Sequence, residues 1–210
     1  MLGHFISIEG QDGAGKSTNL EMIKSSLSAA GIDFRVTREP GGTQLGESLR
    51  NLLLADKDKL IGNTAELLLM FAARAQHLQE VIEPTLKSGA WVVCDRFTDA
   101  TYAYQGGGRE MDWSAIETLE NLVQGQRRPD LTILLDLPVE VSAERADARS
   151  EPDRFEAQAQ QFKQRVRAAY LAQAKREPKR IKVIDASKSL AEVNQAVLTE
   201  FDSYIKNVSL

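Results

Sequence analysis

The most informative stretch of this chain runs from Gly10 to Thr18, and we call it the phosphate loop. Its two glycines, lysine and hydroxyl residue have the spacing of a loop whose backbone N–H groups surround a phosphate. The positive end of the following helix adds to that attraction. We expect Lys16 to reach the terminal phosphates of a nucleotide and the Ser17 hydroxyl to bind Mg²⁺. The predicted phosphate-binding residues are Gly10, Gln11, Asp12, Gly13, Ala14, Gly15, Lys16, Ser17 and Thr18.

A second charged group, Asp95 and Arg96, follows the apolar run Trp91–Cys94. An aspartate that ends an apolar strand resembles the residue that positions Mg²⁺ beside a phosphate loop. Asp136 ends another apolar run and is the alternative, although it could instead cap the helix expected after Pro138. We favour Asp95, because the adjacent arginine would place metal and phosphate ligands side by side.

Arg38 ends a further predicted strand and opens the sequence Arg-Glu-Pro-Gly-Gly-Thr. A single arginine at a strand end is usually an exposed residue. Arg38 and Arg96 together are more informative, since both would project from strand ends and planar guanidinium groups suit a phosphate. The pair predicts a second phosphate site that faces the first.

The segment from Glu144 to Arg154 is highly charged and contains Arg145, Arg149 and Arg154. It could be a solvated connection between two helices. In a phosphoryl-transfer enzyme, however, an arginine from a mobile lid can stabilise the charge of the transition state. The phosphate loop contains no arginine, so this segment is the natural source of one.

Two further groups suggest a site for a small planar ligand. Aromatic and amide side chains precede three glycines in Thr101–Gly108, which we predict to be a ligand-reading loop. Phe71 and Arg74 lie three residues apart and share a helix face, offering a ring for stacking and a donor for a carbonyl. The alternative for this pair is a core aromatic beside a solvated arginine.

The elements that position these residues alternate between strands and helices. Apolar strands between helices predict an α/β fold with a parallel sheet covered on both faces and ligands at the carboxyl ends of the strands. The predicted strands are 5–8, 34–37, 91–94, 131–135 and 181–184. The predicted helices are 16–30, 46–54, 63–87 (bent or broken at Pro84), 114–124, 139–149, 155–175 and 190–208.

Composition narrows the class of protein. The 210 residues predict one domain, 1–210, with a small lid at about 145–156. A formal net charge of −4 argues against a nucleic-acid partner. We see no signal peptide or membrane-spanning run and therefore expect a cytoplasmic protein. The single cysteine, Cys94, is expected to be a small buried side chain.

The helix around Ala65–Ala73 is apolar on more than one face, which predicts burial on more than one side. One face would pack on the sheet. The other would pack either on a second subunit or inside the monomer.

With these residues assembled, the chain resembles the bacterial thymidylate kinase family over nearly its whole length. Four motifs carry the resemblance: Glu9–Thr18, Thr37–Thr43, Asp95–Phe97 and Ala103–Gly106. It implies a P-loop NTPase-like fold and Mg²⁺-dependent transfer of the γ-phosphoryl group of ATP to thymidine monophosphate. It also implies a homodimer formed through long helices.

The resemblance also implies roles for individual residues. Asp12 would bind the 3′-hydroxyl of thymidine monophosphate, and Arg38 and Arg96 would hold its phosphate. The catalytic group would be Lys16, Asp95, Arg96 and the lid arginine Arg149, with Arg145 behind it. Phe71 would stack on thymine, Arg74, Thr101 and Gln105 would read its polar edge, and Tyr104 would pack under the deoxyribose. The chain has Phe97 where the family often has tyrosine or histidine.

Two other functions fit parts of the sequence. One is a kinase of a different nucleoside monophosphate. The other is a nucleotide-dependent switch without a phosphoryl acceptor, but the guanine-reading sequence Asn-Lys-x-Asp is absent, and a second phosphate site has no role in a simple switch.

Overall fold

Five parallel strands form the central sheet, in the order β2-β3-β1-β4-β5. The computed structural model describes residues 2–54, 61–146, 154–155 and 158–208. The strands are β1 (Phe5–Gly10), β2 (Phe34–Arg38), β3 (Trp91–Asp95), β4 (Leu131–Asp136) and β5 (Ile181–Asp185). The predicted α/β fold and all five predicted strands are confirmed.

The inner strands are buried on both faces, as their continuous apolar sequences require. All six residues of β1 are buried, and β4 is buried along all but its last residue. Parallel pairing places Ile8 opposite Asp95, and Asp95 opposite Arg38. The carboxyl ends of β1, β2 and β3, where the predicted site residues begin, therefore meet at one edge of the sheet.

Helices cover both faces of the sheet. Their bounds are α1 (Lys16–Ala29), α2 (Gln44–Leu54), α3 (Asn63–His77), α4 (Glu83–Lys87), α5 (Thr98–Thr101), α6 (Trp113–Gln124), α7 (Val139–Ala146), α8 (Gln160–Arg176) and α9 (Leu190–Val208). The largest core cluster includes apolar residues of β1, β4, α1 and α9, among them Ile8, Ile23, Ile133 and Phe201.

The long predicted helix 63–87 is interrupted before Pro84. A π-helical turn, Leu78–Ile82, separates α3 from α4, which has the proline in its first turn. Proline has no N–H to donate to the preceding turn, and a widened turn just before it accommodates that loss. The predicted break is thus present, as a change of helix type.

The segment predicted as a ligand-reading loop, Thr101–Gly108, is helical instead. Thr101 ends α5, and Tyr102–Gly108 continues as a π-helix. Close packing on two helices explains its three glycines: a Cβ on Gly107 would lie 2.6 Å from the Ala169 Cβ of α8, and a Cβ on Gly106 would lie 2.6 Å from Nε1 of Trp113 in α6. The glycines therefore provide close helix contact rather than a mobile turn.

Within the described ranges, no helix is long and apolar enough to cross a membrane.

Candidate active site

The phosphate loop joins β1 to α1 at the edge where the strands end. Gly10, Gly13 and Gly15 all have positive φ, at 139°, 79° and 91°. A Cβ on Gly10 would lie 2.6 Å from the carbonyl oxygen of Leu135, so glycine is required there on two grounds. The loop leads directly into α1, whose N-terminus attracts anions.

Lys16 is the first residue of α1, and its side chain reaches back across the phosphate loop. Its Nζ donates to the carbonyl oxygens of Gly10, at 3.2 Å, and Gln11, at 3.0 Å. Burial and the neighbouring charge of Arg96 lower the pKa of this amine. Two of its partners are neutral carbonyls and its ion pair with Asp12 is long at 3.5 Å, so the cation can still bind a phosphate.

Asp12 and Arg96 connect the phosphate loop with the end of β3. Arg96 Nη2 donates to Asp12 Oδ1 across 2.7 Å, and Arg96 Nη1 donates to the Gly10 carbonyl across 2.8 Å. Burial alone would raise the pKa of Asp12, but the charges of Arg96 and Lys16 outweigh it and lower that pKa. Arg96 adopts a φ of 67°, a strained conformation that non-glycine residues show mainly at functional sites.

The two candidate metal ligands at strand ends have different partners. Asp136 forms a bidentate ion pair with Arg167, at 2.7 and 2.8 Å. Asp95 has a buried Oδ1 with no hydrogen-bond partner among the described residues. An unsatisfied carboxylate oxygen fits a cation, and the exposed Ser17 hydroxyl at the start of α1 supplies a second hard ligand. Asp95 and Ser17 therefore suit Mg²⁺, whereas Asp136 is already neutralised.

A cleft opens beside the phosphate loop at the same edge of the sheet. Its lining comes from the phosphate loop, the segments after β2 and β3, helices α2, α3 and α5, the π-helical segment and one residue near the end of the predicted lid. The lining residues are Asp12, Glu39, Pro40, Arg50, Leu54, Met70, Arg74, Arg96, Phe97, Ala100, Thr101, Tyr104, Gln105 and Phe155. Six of the predicted acceptor residues are among them: Asp12, Arg74, Arg96, Thr101, Tyr104 and Gln105.

Arg38 differs from the prediction. It lies at a strand end next to Arg96, as expected, but its guanidinium does not line the cleft. Its Nη2 instead donates to Glu47 at 2.7 Å, and half of the side chain is exposed. The arginine that lines the cleft from this side is Arg50, whose Nη1 donates to the Pro40 carbonyl at 2.9 Å.

Phe71 also differs from the prediction. It is buried with Leu67, Tyr102 and Ile116 and is not a lining residue, whereas its neighbour Met70 is. Adjacent residues of a helix point about 100° apart, so one position separates the core from the cleft. Phe71 is thus corrected from a stacking residue to a core residue.

The two phenyl rings of Phe71 and Phe97 hold the guanidinium of Arg74. Its Cζ lies 4.8 Å from the Phe71 ring centroid and 5.0 Å from that of Phe97. Arg74 also donates to Glu39 Oε2 at 2.8 Å and to the Thr101 hydroxyl at 2.9 Å. Its remaining nitrogen, Nη1, is buried without a hydrogen-bond partner among the described residues. Among the described residues, the cleft therefore contains a fixed guanidinium with one nitrogen, Nη1, left without an acceptor.

Glu66 is a buried carboxylate that the sequence analysis did not single out. It accepts hydrogen bonds from Gln105, at 2.8 Å, from Arg109, at 3.3 Å, and from Arg154. In the sequence, the only indication of a role for Glu66 is that an acidic residue interrupts the apolar run of α3. Glu66 connects Gln105, a lining residue of the cleft, to Arg154, the last residue of the charged segment.

Glu9 is a second buried carboxylate, at the end of β1. Its Oε1 accepts from the Phe97 backbone N–H at 2.6 Å, and its Oε2 lies 2.9 Å from the Tyr170 hydroxyl. Burial, reinforced by the charge of Asp99, raises the pKa of Glu9 to about 8. Glu9 is therefore protonated in the folded protein over much of the range in which an exposed glutamate is ionised.

Tyr104 packs beneath Arg96. The Arg96 Cζ lies 5.1 Å from its ring centroid, and the Phe155 ring meets it edge-on at 5.7 Å. Tyr104 thus joins the charged part of the cleft to its apolar wall.

The predicted lid residue Arg149 lies outside the described residues, as does the side chain of Arg145. Arg154, at the end of the same segment, is described and is buried: its Nε donates to the Leu53 carbonyl at 3.0 Å. The alternative of a fully solvated connection does not hold for this residue.

The comparisons with known proteins agree with each other. A family model described as thymidylate kinase matches residues 8–197. A thymidylate kinase of Pseudomonas entomophila is 55% identical over 197 residues, or 94% of each chain. One of Pseudomonas putida is 55% identical over 193 residues, or 92% of this chain and 93% of the relative. The crystal structure of thymidylate kinase from Ehrlichia chaffeensis is similar with a TM-score of 0.77 at 34% identity, covering 96% of this chain and 99% of that one.

Proposed function

The chain belongs to the thymidylate kinase family, and we infer that it transfers the γ-phosphoryl group of ATP to thymidine monophosphate, giving thymidine diphosphate. The observation that carries this inference is the cleft itself. It lies beside the phosphate loop: Asp12 belongs to both the loop and the cleft lining, and Arg96, another lining residue, donates to Asp12. A donor phosphate on the loop and an acceptor in the cleft would meet at that ion pair.

On the donor side, the phosphate loop would hold the phosphates of ATP through its backbone N–H groups. Lys16 would neutralise the charge that develops on the transferring phosphoryl group. The loop carbonyls that now accept from Nζ keep the amine close to that position. Positioning and charge neutralisation are sufficient for this chemistry, and no covalent intermediate is required.

Mg²⁺ would be held by Asp95 and Ser17. When bound, the ion would neutralise phosphate charge and orient the terminal phosphates. Asp95 Oδ1 has no hydrogen-bond partner in the part of the chain that the structure describes, which supports this assignment over Asp136, whose charge Arg167 already neutralises.

On the acceptor side, Arg96 and Arg50 would bind the phosphate of thymidine monophosphate. Arg50 replaces Arg38 in this role, because only Arg50 lines the cleft. Two guanidinium groups suit the bidentate recognition of a phosphate. Arg38, paired with Glu47, would support the loop after β2.

The base and the sugar would occupy the apolar part of the cleft. Arg74 Nη1 would donate to a carbonyl of thymine, with Thr101 and Gln105 nearby, and Met70 would contact the ring in place of Phe71. Asp12 would accept from the 3′-hydroxyl, and Tyr104 would pack beneath the deoxyribose. A buried donor without a partner is costly, and a carbonyl of the base would satisfy it.

The charged segment would act as a lid, with Arg149 stabilising the transition state and Arg145 behind it. Two hydrogen bonds support this position. The Ser142 hydroxyl of α7 donates to the Asp12 carbonyl at 2.6 Å, and the Gln11 side chain donates to the Lys163 carbonyl in α8. Both helices that flank the segment are therefore attached to the phosphate loop.

We further propose a homodimer that works in the cytoplasm. Leu68 of α3 is 51% exposed, and Ala65, Ala72 and Ala75 on the same face are also exposed. A second copy of α3 would cover this apolar stripe. Sedimentation equilibrium tests the dimer, and a monomer at micromolar concentration would contradict it.

The test of the function is a coupled assay of ADP release across a panel of nucleoside monophosphates at equal concentration. We expect thymidine monophosphate to give the highest kcat/KM. Preference for another monophosphate would assign a different acceptor. Nucleotide hydrolysis that no monophosphate accelerates would favour a switch protein.

A further inference from the structure

His77 is fully buried where α3 passes the loop after β2. Its Nδ1 lies 2.8 Å from Glu39 Oε1, and its Nε2 lies 2.6 Å from the Thr37 hydroxyl. An ionised carboxylate can only accept, so Nδ1 carries the hydrogen. In the neutral imidazole, Nε2 then accepts from the hydroxyl. Both ring nitrogens have partners, and the orientation of the ring is fixed.

The loop after β2 is shaped around this imidazole. A Cβ on Gly42 would lie 2.6 Å from His77 Nε2 and 2.6 Å from the Thr37 hydroxyl oxygen. Gly42 also has a φ of 80°, which favours glycine. Thr37, Glu39 and Gly42, three residues of one sequence motif, therefore meet at a single side chain of α3.

The contact continues from His77 to the cleft. Glu39 uses Oε1 for His77 and Oε2 for Arg74, each at 2.8 Å. Burial would raise the pKa of Glu39, but Arg74 and His77 lower it, so the carboxylate is charged. Arg74 then presents to the cleft a guanidinium whose Nη1 has no partner within the described part of the chain.

We propose that His77 is a positioning residue for recognition of the acceptor base. By donating to Oε1, it prevents the Glu39 carboxylate from rotating, and Oε2 then holds Arg74 in the orientation that the base requires. The proposal rests on the proposed function, because it takes Arg74 to contact the base. Since the base does not react, loss of this orientation weakens acceptor binding without slowing phosphoryl transfer.

Two substitutions separate this role from simple core packing. His77→Asn keeps an N–H close to the position of Nδ1, whereas His77→Gln places its amide close to Nε2 and loses the bond to Glu39. We expect His77→Gln to raise the KM for thymidine monophosphate about tenfold with kcat changed less than about twofold. His77→Asn is expected to restore most of the parent KM. Equal KM values for the two variants would overturn the proposal.

The chain's other histidine provides a matched control. His4 contacts the Tyr204 hydroxyl through Nδ1 at 2.7 Å, before β1 and therefore at the opposite edge of the sheet. His4→Gln loses an equivalent contact, and we expect it to leave the acceptor KM unchanged. If His4→Gln raised the acceptor KM as much as His77→Gln does, general loss of packing would explain both effects, and the proposal would be overturned.

A double-mutant cycle tests the route through Arg74. In an Arg74→Ala background, His77→Gln should change the acceptor KM by less than about twofold, because the group that it positions is gone. The same tenfold change in both backgrounds would overturn the proposal. If His77→Gln does not fold, Glu39→Gln tests the same connection: it should raise the KM for the acceptor but not for ATP, and an unchanged acceptor KM is the contrary result.

The two levels of failure are distinguishable. If the parent protein does not phosphorylate thymidine monophosphate, the proposed function fails. If it does so and the histidine variants behave alike, only the role of His77 fails.

Discussion

The Ser142 hydroxyl donates to the backbone carbonyl of Asp12 across 2.6 Å, so the helix that precedes the predicted lid is attached to the phosphate loop. The helix that follows the lid is attached to the same loop through Gln11 and Lys163. Phosphates bound by this loop would therefore lie close to both helices that flank the predicted lid. That arrangement gives a physical reason to seek the transition-state arginine there.

The first prediction concerns Arg149. If its guanidinium contacts the transferring phosphoryl group, Arg149→Ala should lower kcat at least about a hundredfold, because such a contact forms only in the transition state. The KM for thymidine monophosphate should change less than about threefold. Steady-state kinetics with both substrates varied provides the measurement. Arg35→Ala, at an exposed position of β2, is the control. An equal effect of the two variants on kcat would contradict the catalytic role of Arg149 and favour the interpretation of the charged segment as a solvated connection.

Lys16 provides the second prediction. Lys16→Ala removes a cation from the donor phosphates, and loss of electrostatic stabilisation of this kind lowers kcat about a hundredfold or more. The circular dichroism spectrum should not change, because the partners of Nζ among the described residues all belong to the phosphate loop: the carbonyls of Gly10 and Gln11 and, at 3.5 Å, the carboxylate of Asp12. Lys24→Ala, on the exposed side of α1, is the matched control. Near-normal turnover of Lys16→Ala would contradict the role of the loop.

The third prediction compares two arginines. Arg50→Ala should raise the KM for thymidine monophosphate about tenfold, the value of one charged hydrogen bond to a phosphate. Arg38→Ala should have a smaller effect, because its guanidinium is paired with Glu47 and half exposed. Initial rates over a range of acceptor concentrations give both constants. A larger effect at Arg38 would restore the assignment that the sequence suggested.

The proposed exchange of Arg38 for Arg50 illustrates which parts of the site can be predicted from a sequence. Local sequence patterns predict the phosphate loop and the ends of the strands. They therefore indicate β1 and β3 and single out Lys16 and Asp95 as candidate site residues. The choice between Phe71 and Met70, or between Arg38 and Arg50, depends on the rotation of a helix and on a partner such as Glu47. Tertiary packing sets both of these, and a local pattern does not contain them.

The unpredicted charged residues have a similar explanation. Glu9 and Glu66 lie within apolar runs of β1 and α3, where residue type alone suggests a strand or helix and no partner. Their partners, Tyr170 for Glu9 and Arg154 for Glu66, are distant in sequence. Buried polar groups require such partners, but their identity follows only from the fold.

The fourth prediction concerns Mg²⁺. Asp95→Asn removes the charge of a carboxylate whose Oδ1 has no hydrogen-bond partner among the residues that the structure describes. We expect the Mg²⁺ concentration for half-maximal activity to rise about tenfold or more. Asp136→Asn is the matched control at the end of β4, which lies on the other side of β1 from β3. It should weaken the pair with Arg167 and lower the unfolding temperature, with little change in the Mg²⁺ requirement. The reverse result would move the metal ligand to Asp136.

The last prediction concerns Glu9 and the pH dependence of stability. The raised pKa of about 8 means that the folded state keeps a proton that the unfolded state releases near pH 4.5. The free energy of unfolding attributable to Glu9 therefore falls between these two pH values as the pH rises, by on the order of 1 kcal/mol per pH unit.

Glu9→Gln imitates the protonated acid: its oxygen can accept from Phe97 N–H and its amide can donate to the Tyr170 hydroxyl. The variant should gain stability relative to the parent from pH 5 to pH 8, as measured by urea unfolding. Glu21→Gln, at an exposed position of α1, is the control and should show no such trend, because solvent reaches that carboxylate in both states. A constant difference between Glu9→Gln and the parent would mean that Glu9 is ionised in the fold.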